Sequence, residues 1–563
     1  MNLTIGNQRV ALHRDSTLSL ERLSPALNEK VGSFSYPFSV PTQPNQKILG
    51  WPGVLERTGE LALKSFVVED QGLQVLRGEV EYDTVTREDI GIILTSGLTE
   101  LYTNLERMKD DGSNLSNLNW GSEEWFSDQP TTWELFQAKL TSWDANNRAP
   151  NASYLVSPFQ YFPVDSPVIF ANKHNAAGYL TQTYADLDVG FMYQLQFRAW
   201  WMVERIFEIL GYTVLLNELK DKEWKQLVIH SRPFLITLIQ ADQELYNNQI
   251  LVHPPIDALQ YAFLMPTVST YDFMEEMRIL MGLAFDIDDL KKEVKILQLK
   301  SIIAPSESTT ELIELSGWQH KEGKSTSEDG YSISFITQDN PLDNRADYTL
   351  DTTVATYSAM PNLLTTAVGY TCRVSAVQRD YIIVDDGLGK YWDVIGRLKP
   401  KVSGLQKINI EFNVKVPTTI YNGSIFKGPR MKITFTASEY GMTLYDVTEI
   451  YASLYRGTVT NFVIATIPFQ TVPIPFLSAD NWSQNETISL CPQALFESVY
   501  LEYLVWKSSS ARSFVKFVRL TLPQLLALEW NSRYVISGVR VILSKINYDL
   551  PFTGMVRLEG YVV

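Results

Sequence analysis

The fold is decided by the stretch Ser269-Thr-Tyr-Asp-Phe-Met-Glu-Glu-Met-Arg-Ile-Leu-Met-Gly-Leu-Ala-Phe-Asp-Ile287, in which a helical pattern changes into a strand pattern. Ser269 and Asp272 suit a capping box at the helix start, with Asp in place of the usual Glu or Gln. One apolar stripe follows with helical spacing, formed by Phe273, Met274, Met277, Leu280 and Met281. Gly282 stands where a helix commonly ends in the left-handed conformation. The stretch therefore predicts a helix, a glycine cap and a strand, followed by a second strand in Glu293-Val-Lys-Ile-Leu-Gln-Leu299.

The same order occurs upstream, in residues 194–216. Its apolar positions lie on one helical face and are Ala199, Val203, Ile206, Phe207 and Leu210. Gly211 then precedes the strand pattern Tyr212-Thr-Val-Leu-Leu216. We predict that Gly211 and Gly282 are structural caps and that each unit covers a sheet with a helix.

The composition indicates a large, mainly β protein. A length of 563 residues suggests about three to five domains, and 45% hydrophobic with 20% charged residues is enough for several cores. The chain has 28 Tyr, 26 Phe and 13 Trp, an aromatic content typical of β-rich proteins with interfaces. We predict a multidomain fold that is mainly β with α+β insertions and ends in a C-terminal β-sandwich.

Pattern changes along the chain predict five regions. Strand patterns surround the turn Asp70-Gln-Gly72, residues 109–119 are polar and turn-rich, and Ile408, Ile410 and Phe412 alternate as in a strand. The predicted regions are 1–105, an N-terminal β domain with a Pro-rich arm; 106–149, an exposed linker; 150–310, an α+β region with both helix-glycine-strand units; 311–403, a β domain; and 404–563, a C-terminal β-sandwich-like domain.

The Pro-rich arm is Phe34-Ser-Tyr-Pro-Phe-Ser-Val-Pro-Thr-Gln-Pro-Asn45. Its three prolines disfavour a helix and remove sheet donors, whereas Tyr36, Phe38 and Val40 can anchor an extended segment. The arm is either a loop lying on its own domain or a segment reaching a neighbouring subunit. We predict that Tyr36, Phe38 and Val40 form an interface with another subunit.

The sequence assigns no catalytic, cofactor-binding or metal-binding residue. The five histidines lack the spacing of a metal site, no G-x-S-x-G motif occurs, and Gly387-Leu-Gly-Lys390 is too short for a phosphate-binding loop. Asp286, Asp288 and Asp289 resemble a calcium loop but lack its glycine and terminal Glu. Cys372 and Cys491 are expected to be buried and unbridged. We therefore predict that the protein is not an enzyme and needs no cofactor.

Charge and hydropathy restrict the partners. A formal charge of −16 disfavours stable nucleic-acid binding, which depends on Lys and Arg. The acidity fits either a conduit wall that repels passing DNA or simple solubility. The N-terminus has no signal-peptide pattern, and prolines interrupt the apolar residues 462–476, so we expect cytoplasmic synthesis and no stable membrane insertion.

Several short motifs occur in a recognisable order. They are Leu18-Ser-Leu-Glu-Arg22, Ser24-Pro25, Phe34-Ser-Tyr-Pro-Phe38 and Ile48-Leu-Gly-Trp-Pro52, followed by the unit ends Leu210-Gly-Tyr212 and Met281-Gly-Leu283. In this order, residues 1–310 resemble tail-tip or baseplate hub proteins of tailed phages and prophages of Bacteroides-type bacteria. The resemblance implies a structural virion protein in the tail, with β-barrel tube-type domains. It also implies a homotrimer, contacts with other tail and baseplate proteins, and DNA only as passing cargo.

A second function class remains open for the C-terminal region, which lies outside the resemblance. Residues 404–563 could carry a cell-wall or polysaccharide hydrolase or a glycan-binding module. Against a hydrolase, the region has no His and only Cys491. For glycan binding, Trp482, Trp506 and Trp530 are the available aromatic residues, although they fit a core equally well.

Overall fold

The computed structural model describes residues 1–25, 33–50, 64–124, 195–232 apart from 221–222, 258–304 apart from 289, 309–313 and 512–562, together with short segments between 154 and 506. The helices are α1 (Thr42–Asn45), α2 (Leu98–Asp110), α3 (Ala199–Ile209), α4 (Thr270–Met281), α5 (Leu299–Ile303), α6 (Glu502–Val505) and α7 (Leu522–Leu526). No helix among these residues is long and apolar enough to cross a membrane.

The strands greatly outnumber the helices, so the fold is mainly β, as predicted. The first strands are β1 (Asn2–Ile5), β2 (Gln8–Arg9), β3 (Leu18–Leu23), β4 (Ser33–Ser35), β5 (Phe38–Pro41), β6 (Ser65–Asp70), β7 (Leu73–Val85) and β8 (Asp89–Ser96). The next are β9 (Ser122–Glu124), β10 (Tyr154–Val156), β11 (Phe159–Gln160), β12 (Phe170–Ala171), β13 (Lys173–His174), β14 (Leu180–Gln182), β15 (Phe191–Tyr193), β16 (Leu195–Arg198), β17 (Thr213–Asn217), β18 (Leu227–His230), β19 (Phe234–Ile236), β20 (Leu238–Gln240), β21 (Ile250–Val252), β22 (Ala258–Gln260), β23 (Leu283–Asp288) and β24 (Glu293–Gln298).

The remaining strands follow α5. They are β25 (Thr309–Leu312), β26 (Ser332–Phe335), β27 (Thr352–Val354), β28 (Thr371–Val374), β29 (Arg379–Asp385), β30 (Lys390–Val394), β31 (Asn409–Phe412), β32 (Thr418–Asn422), β33 (Ile425–Arg430), β34 (Thr434–Glu439), β35 (Met442–Asp446), β36 (Ala452–Ile464), β37 (Thr471–Ser478), β38 (Arg512–Arg519), β39 (Arg533–Ile536), β40 (Val539–Leu550) and β41 (Met555–Val562).

The two ends of the chain build one 13-stranded sheet. Its main path is β2-β1-β6-β7-β8-β4-β3-β40-β39-β25, with β41 beside β40, β38 beside β41 and β5 beside β8. The central pairing joins β3 to β40, where Leu20 faces Tyr548 and Leu18 faces Leu550. The inward side chains of both chain ends form one hydrophobic core. This unit is called the sheet body below.

The C-terminal strands pair with one another, but they do not form one separate domain as the sequence-based division at 404 anticipated. Strands β38 to β41 complete the N-terminal sheet, whereas β36 pairs with β18 and β35 pairs with β19. The alternating pattern identifies strands but not their partners, because any apolar face of matching register can be buried against another. No sheet among the described strands closes into a barrel.

Both helix-glycine-strand units lie in one α+β body with its own core. Strand β17 of the first unit pairs in parallel with β24, and β24 pairs antiparallel with β23 of the second. The stripes predicted for α3 and α4 are buried there, including Val203, Phe207 and Met277. The two units therefore share one three-stranded sheet, which α3 and α4 help to cover.

The predicted linker at 106–149 is corrected in its described part. Helix α2 runs from the end of the predicted β domain into the start of this linker, and its Leu101 and Leu105 are buried in the core of the α+β body. Leu115 and Trp120 are also buried, and the Trp120 indole donates to the Leu115 carbonyl at 2.6 Å. The polar residues of this segment form turns on the surface. The polar composition therefore predicted a linker although Leu115 and Trp120 are buried.

Both predicted glycine caps have positive φ, +85° at Gly211 and +58° at Gly282. At the end of α3, the Tyr212 amide donates to the Phe207 carbonyl and the Gly211 amide to the Glu208 carbonyl, at 2.9 and 3.0 Å. This is the Schellman arrangement, and the rings of Tyr212 and Phe207 also touch, as expected for it. Gly282 closes α4 by donating to the Arg278 carbonyl.

Candidate interaction surface

The outer face of the sheet body carries one uninterrupted row of side chains. Directly paired residues of antiparallel strands point to the same face, so the row follows from the registers. It runs across eight strands through Ser65, Glu79, Thr95, Phe34, Glu21, Asn547, Arg557 and Phe517. Their neighbours Phe66, Val80 and Leu20 point inward to the core. The row therefore lies on the side of the sheet away from its core.

The middle of this row is a connected polar network. The Tyr36 hydroxyl donates to the Glu21 carboxylate at 2.6 Å, and the Lys545 ammonium lies 2.5 Å from the same carboxylate. The hydrogen bond to Glu21 raises the pKa of Tyr36. Beside them, Arg557 pairs with Glu559 at 2.9 Å. These groups satisfy one another and leave the two borders of the network, at Tyr36 and at β38, for outside contacts.

An exposed patch lies at the β38 border, and we name it the Phe517–Met555 patch. It consists of Ile313, Phe517, Arg519, Met555 and Arg557. Arg519 pairs with Met555 and Phe517 with Arg557 across β38 and β41, and the Arg519 amide donates to the Ile313 carbonyl at 3.3 Å. Ile313 is 75% exposed and Met555 is 55% exposed. Aromatic, Met and Arg side chains are enriched at protein interfaces, so this patch has an interface composition.

The other end of the same face is covered. Tyr561, on the same side of β41 as Met555, contacts the Trp506 ring with the centroids 5.4 Å apart. Trp506 and the neighbouring Tyr503 pack against the core of the α+β body. The α+β body thus shields one end of β41 and leaves the Phe517–Met555 patch exposed.

The predicted interface residues have different positions. Val40 is fully buried in the sheet body, where it pairs with Ile90, so its side chain cannot contact another subunit in this fold. Phe38 packs partly against the same core, whereas Tyr36 is 46% exposed. The expectation that this segment cannot complete a sheet is corrected, because β5 pairs with β8 through the residues between the prolines. An interface role for Tyr36 stays a prediction.

A cleft of about 380 Å³ separates the sheet body from the α+β body. Lys295 pairs with Glu529 across it at 2.8 Å, and the Arg22 guanidinium lies 5.7 Å from the centre of the Trp530 ring. Burial raises the pKa of Asp286, an effect that Lys295 and Arg22 oppose. Charges of both signs line the cleft and largely pair with each other, so it acts as a joint between the bodies and favours no single ligand class.

The acidic turn that resembles a calcium loop has a structural role in its described part. The Asp288 carboxylate accepts from the Leu290 and Lys291 amides at 3.1 and 3.2 Å, which closes the turn between β23 and β24. Asp289 lies outside the described residues, and no metal-binding cluster of His, Cys, Asp and Glu occurs within them.

The remaining candidate residues are placed as follows. Cys372 is buried, as predicted, and Cys491 lies outside the described residues. Trp530 is only 6% exposed and Trp506 is packed between the two bodies, so neither forms an open platform for a sugar. Trp482 lies outside the described residues.

Sequence reasoning missed the Phe517–Met555 patch. The signal was an apolar residue on the outward side of each strand, because Val515 and Phe517 alternate with the inward Phe514 and Val518. Two-sided apolar strands also occur in fully buried sheets, so the sequence could not separate a second core face from an exposed patch.

Comparison with known proteins gives little beyond a remote structural likeness. No family model matches the chain, and no curated protein matches it. Among solved structures, the chain is similar to the 43 kDa tail protein of prophage MuSo2 from Shewanella oneidensis. The two are 9% identical with a TM-score of 0.32, and the match covers 100% of this chain and 95% of that one.

Proposed function

We propose that this chain is a structural component of a phage tail, a tail-tip or baseplate hub protein that extends or closes the tail tube and docks neighbouring tail proteins during genome delivery. The observation that carries the proposal is the outer face of the sheet body, where both ends of the chain present a polar network bordered by Tyr36 and the Phe517–Met555 patch. A rigid sheet with an exposed interface composition suits an assembly part better than a catalyst.

The positions of the resembling motifs support the proposal. Leu18-Ser-Leu-Glu-Arg22 lies in β3, and Phe34-Ser-Tyr-Pro-Phe38 runs from β4 into β5. These strands stand at the centre of the sheet body, and Glu21 and Tyr36 belong to its outer network. The motif residues thus act in folding and in the outer surface together, as expected of a hub motif that carries no reactive group.

The proposed setting is the virion tail, after synthesis in the host cytoplasm. The chain would act there as a homotrimer in contact with other tail and baseplate proteins, with DNA only as passing cargo. A trimer would multiply the formal charge of −16, and a wall of that sign would keep passing DNA from adhering.

The test combines solution mass with imaging of the assembled particle. Light scattering on the purified chain, alone and with its tail neighbours, should show oligomers, and electron microscopy of the tails should show the chain as a ring at the tip. A monomer within the particle, or a ring whose bore is lined with Lys and Arg, would overturn the proposal. The hydrolase or glycan-binding alternative would then be tested first, by incubating the protein with cell-wall polysaccharide and measuring release and retention.

A further inference from the structure

We infer that the Phe517–Met555 patch of one copy binds the acidic tip of the β7–β8 hairpin of a second copy, in a head-to-tail contact. The tip is defined as residues 79–89. This inference deepens the proposed function, because it names the surface and the partner through which the chain would build a ring.

The patch offers apolar area and positive charge on a rigid support. Phe517 is 36% exposed and stands beside Arg557, whose side chain is 44% exposed. On the patch face, β38 and β41 present Arg519 and Arg557, the latter paired with Glu559, in a protein whose overall charge is −16. A partner must therefore supply an apolar group surrounded by carboxylates.

The hairpin tip has this chemistry. Residues 79–89 contain five carboxylates and one arginine; Glu79 pairs with Arg107 and Asp89 with His13, each at 2.8 Å, whereas residues 83–88 are all exposed. Val85 at the tip is 38% exposed, between the exposed Asp83 and Glu88. The tip is also ordered, because the Thr86 amide donates to the Asp89 carbonyl at 2.8 Å and the Asp89 amide to the Thr86 hydroxyl at 2.9 Å. An ordered loop loses less conformational entropy on binding.

The two surfaces cannot meet within one copy. The Gln71 side chain donates to the Phe552 carbonyl at 3.0 Å, so the start of β7 lies beside the loop that leads to Met555. Val85 stands at the far end of the 13-residue β7, whose extended length is about 40 Å at about 3.3 Å per residue. The patch and the tip therefore lie near opposite ends of one rigid sheet.

This placement determines the kind of contact. Two patches facing each other would oppose arginines, whereas a patch facing a tip pairs opposite charges. A contact between different surfaces of identical chains is head-to-tail, and it closes into a ring when the rotation between copies allows. A second copy of this chain is thus the occupant that the charges favour.

Charge reversal on each surface provides the test. One variant carries Arg519→Glu and Arg557→Glu, and the other carries Asp83→Lys and Glu88→Lys. Each variant alone should self-associate at least about tenfold more weakly than the parent in sedimentation velocity, because the first then carries carboxylates on both surfaces and the second has lost the net negative charge of its tip. An equimolar mixture should recover association, since the unchanged patch of the second variant complements the unchanged tip of the first. Arg540→Glu and Glu106→Lys, both exposed and away from the two surfaces, are the matched controls.

A second arm tests the apolar contribution. Phe517→Ala should weaken self-association by about tenfold, the effect of truncating an aromatic hot spot. Val539→Ala, at a 40% exposed position near the opposite end of the sheet strands, should leave it unchanged. Thermal melts identify any variant that fails to fold. A charge-reversed variant that fails is replaced by the corresponding Gln or Asn substitution.

The outcomes separate this inference from the proposed function. Charge-reversed variants that associate like the parent, or that stay apart when mixed, overturn the inference while leaving a tail protein that assembles through other surfaces. A parent chain that is monomeric in solution also overturns it. A chain absent from purified tails overturns the proposed function whatever the variants do.

Discussion

The two helix-glycine-strand units have the same sequence pattern but different surroundings. Gly211 is exposed, and a Cβ atom added there would meet nothing within 4 Å. Gly282 is buried, and a Cβ atom there would overlap the side chain of Val499, in a helical turn that packs on α4 from the far end of the chain. Gly211 is therefore required only by its backbone conformation, whereas Gly282 is required by conformation and by packing.

The largest expected effect is that of Gly282→Val. A β-branched residue at positive φ costs about 1–2 kcal/mol, and overpacking against Val499 adds about 1–3 kcal/mol. We expect the free energy of unfolding in urea to fall by about 3 kcal/mol or more. Gly211→Val serves as the control and should lose only the backbone part. Equal losses in the two variants would show that the Val499 contact has no energetic weight.

The alanine pair sharpens the same comparison with less disruption. Gly211→Ala should cost about 1 kcal/mol, and Gly282→Ala about 2–3 kcal/mol because Val499 must move. Adding Val499→Ala to each variant should recover stability only in the variant that carries Gly282→Ala. A double-mutant cycle from chemical denaturation measures this coupling, and a coupling of zero at Gly282 would contradict the packing explanation.

A pH dependence should arise beside the first unit. His230 ends β18, which packs on α3, and complete burial lowers its pKa from 6.5 to about 3. The unfolded state then binds a proton that the folded state excludes, so stability falls as the pH drops from about 6.5 towards 3. The expected loss is about 2 kcal/mol by about pH 5.

The measurement is the unfolding free energy as a function of pH for the parent and His230→Gln, which does not titrate. The fall in unfolding free energy that His230 contributes between about pH 6.5 and about pH 5 should disappear in His230→Gln. It should persist in His13→Gln, because His13 is exposed. Parallel curves for the parent and His230→Gln would show that His230 is protonated in the folded state.

The smallest expected effect concerns the helix starts. In the second unit the Ser269 hydroxyl accepts from the Asp272 amide at 3.0 Å, so Ser269→Ala should cost about 1 kcal/mol. Ser269→Thr retains the cap and should stay within a few tenths of a kcal/mol of the parent. The first unit starts differently, because the buried Arg198 side chain donates to the Lys225 carbonyl at 2.9 Å. Equal stability of Ser269→Ala and Ser269→Thr in thermal melts would show that the Ser269 cap does not stabilise α4.

The helical and glycine elements were accessible from sequence because their causes are local. The stripe of α4, its Ser269 cap and the positive φ of Gly282 depend on residues within about two turns. Helix α2 was missed because it follows directly on β8 and its polar end merges with turn residues. The sequence predicted the candidate surface only in part. Tyr36 was named and is exposed, whereas Val40 was named and is buried in its own chain.

The sequence by itself determined that the protein is mainly β, where its two principal helices end, and which residues alternate along many strands. Only the tertiary structure decided which strands meet: β3 pairs with β40, where the paired Ser19 and Asp549 are 530 residues apart, and Val499 comes to lie against Gly282. Helix caps and turns depend on steric and hydrogen-bonding terms that act over a few residues. Strand partners and exposed patches depend on which apolar faces bury each other, and the hydrophobic effect favours such burial without specifying direction or sequence distance.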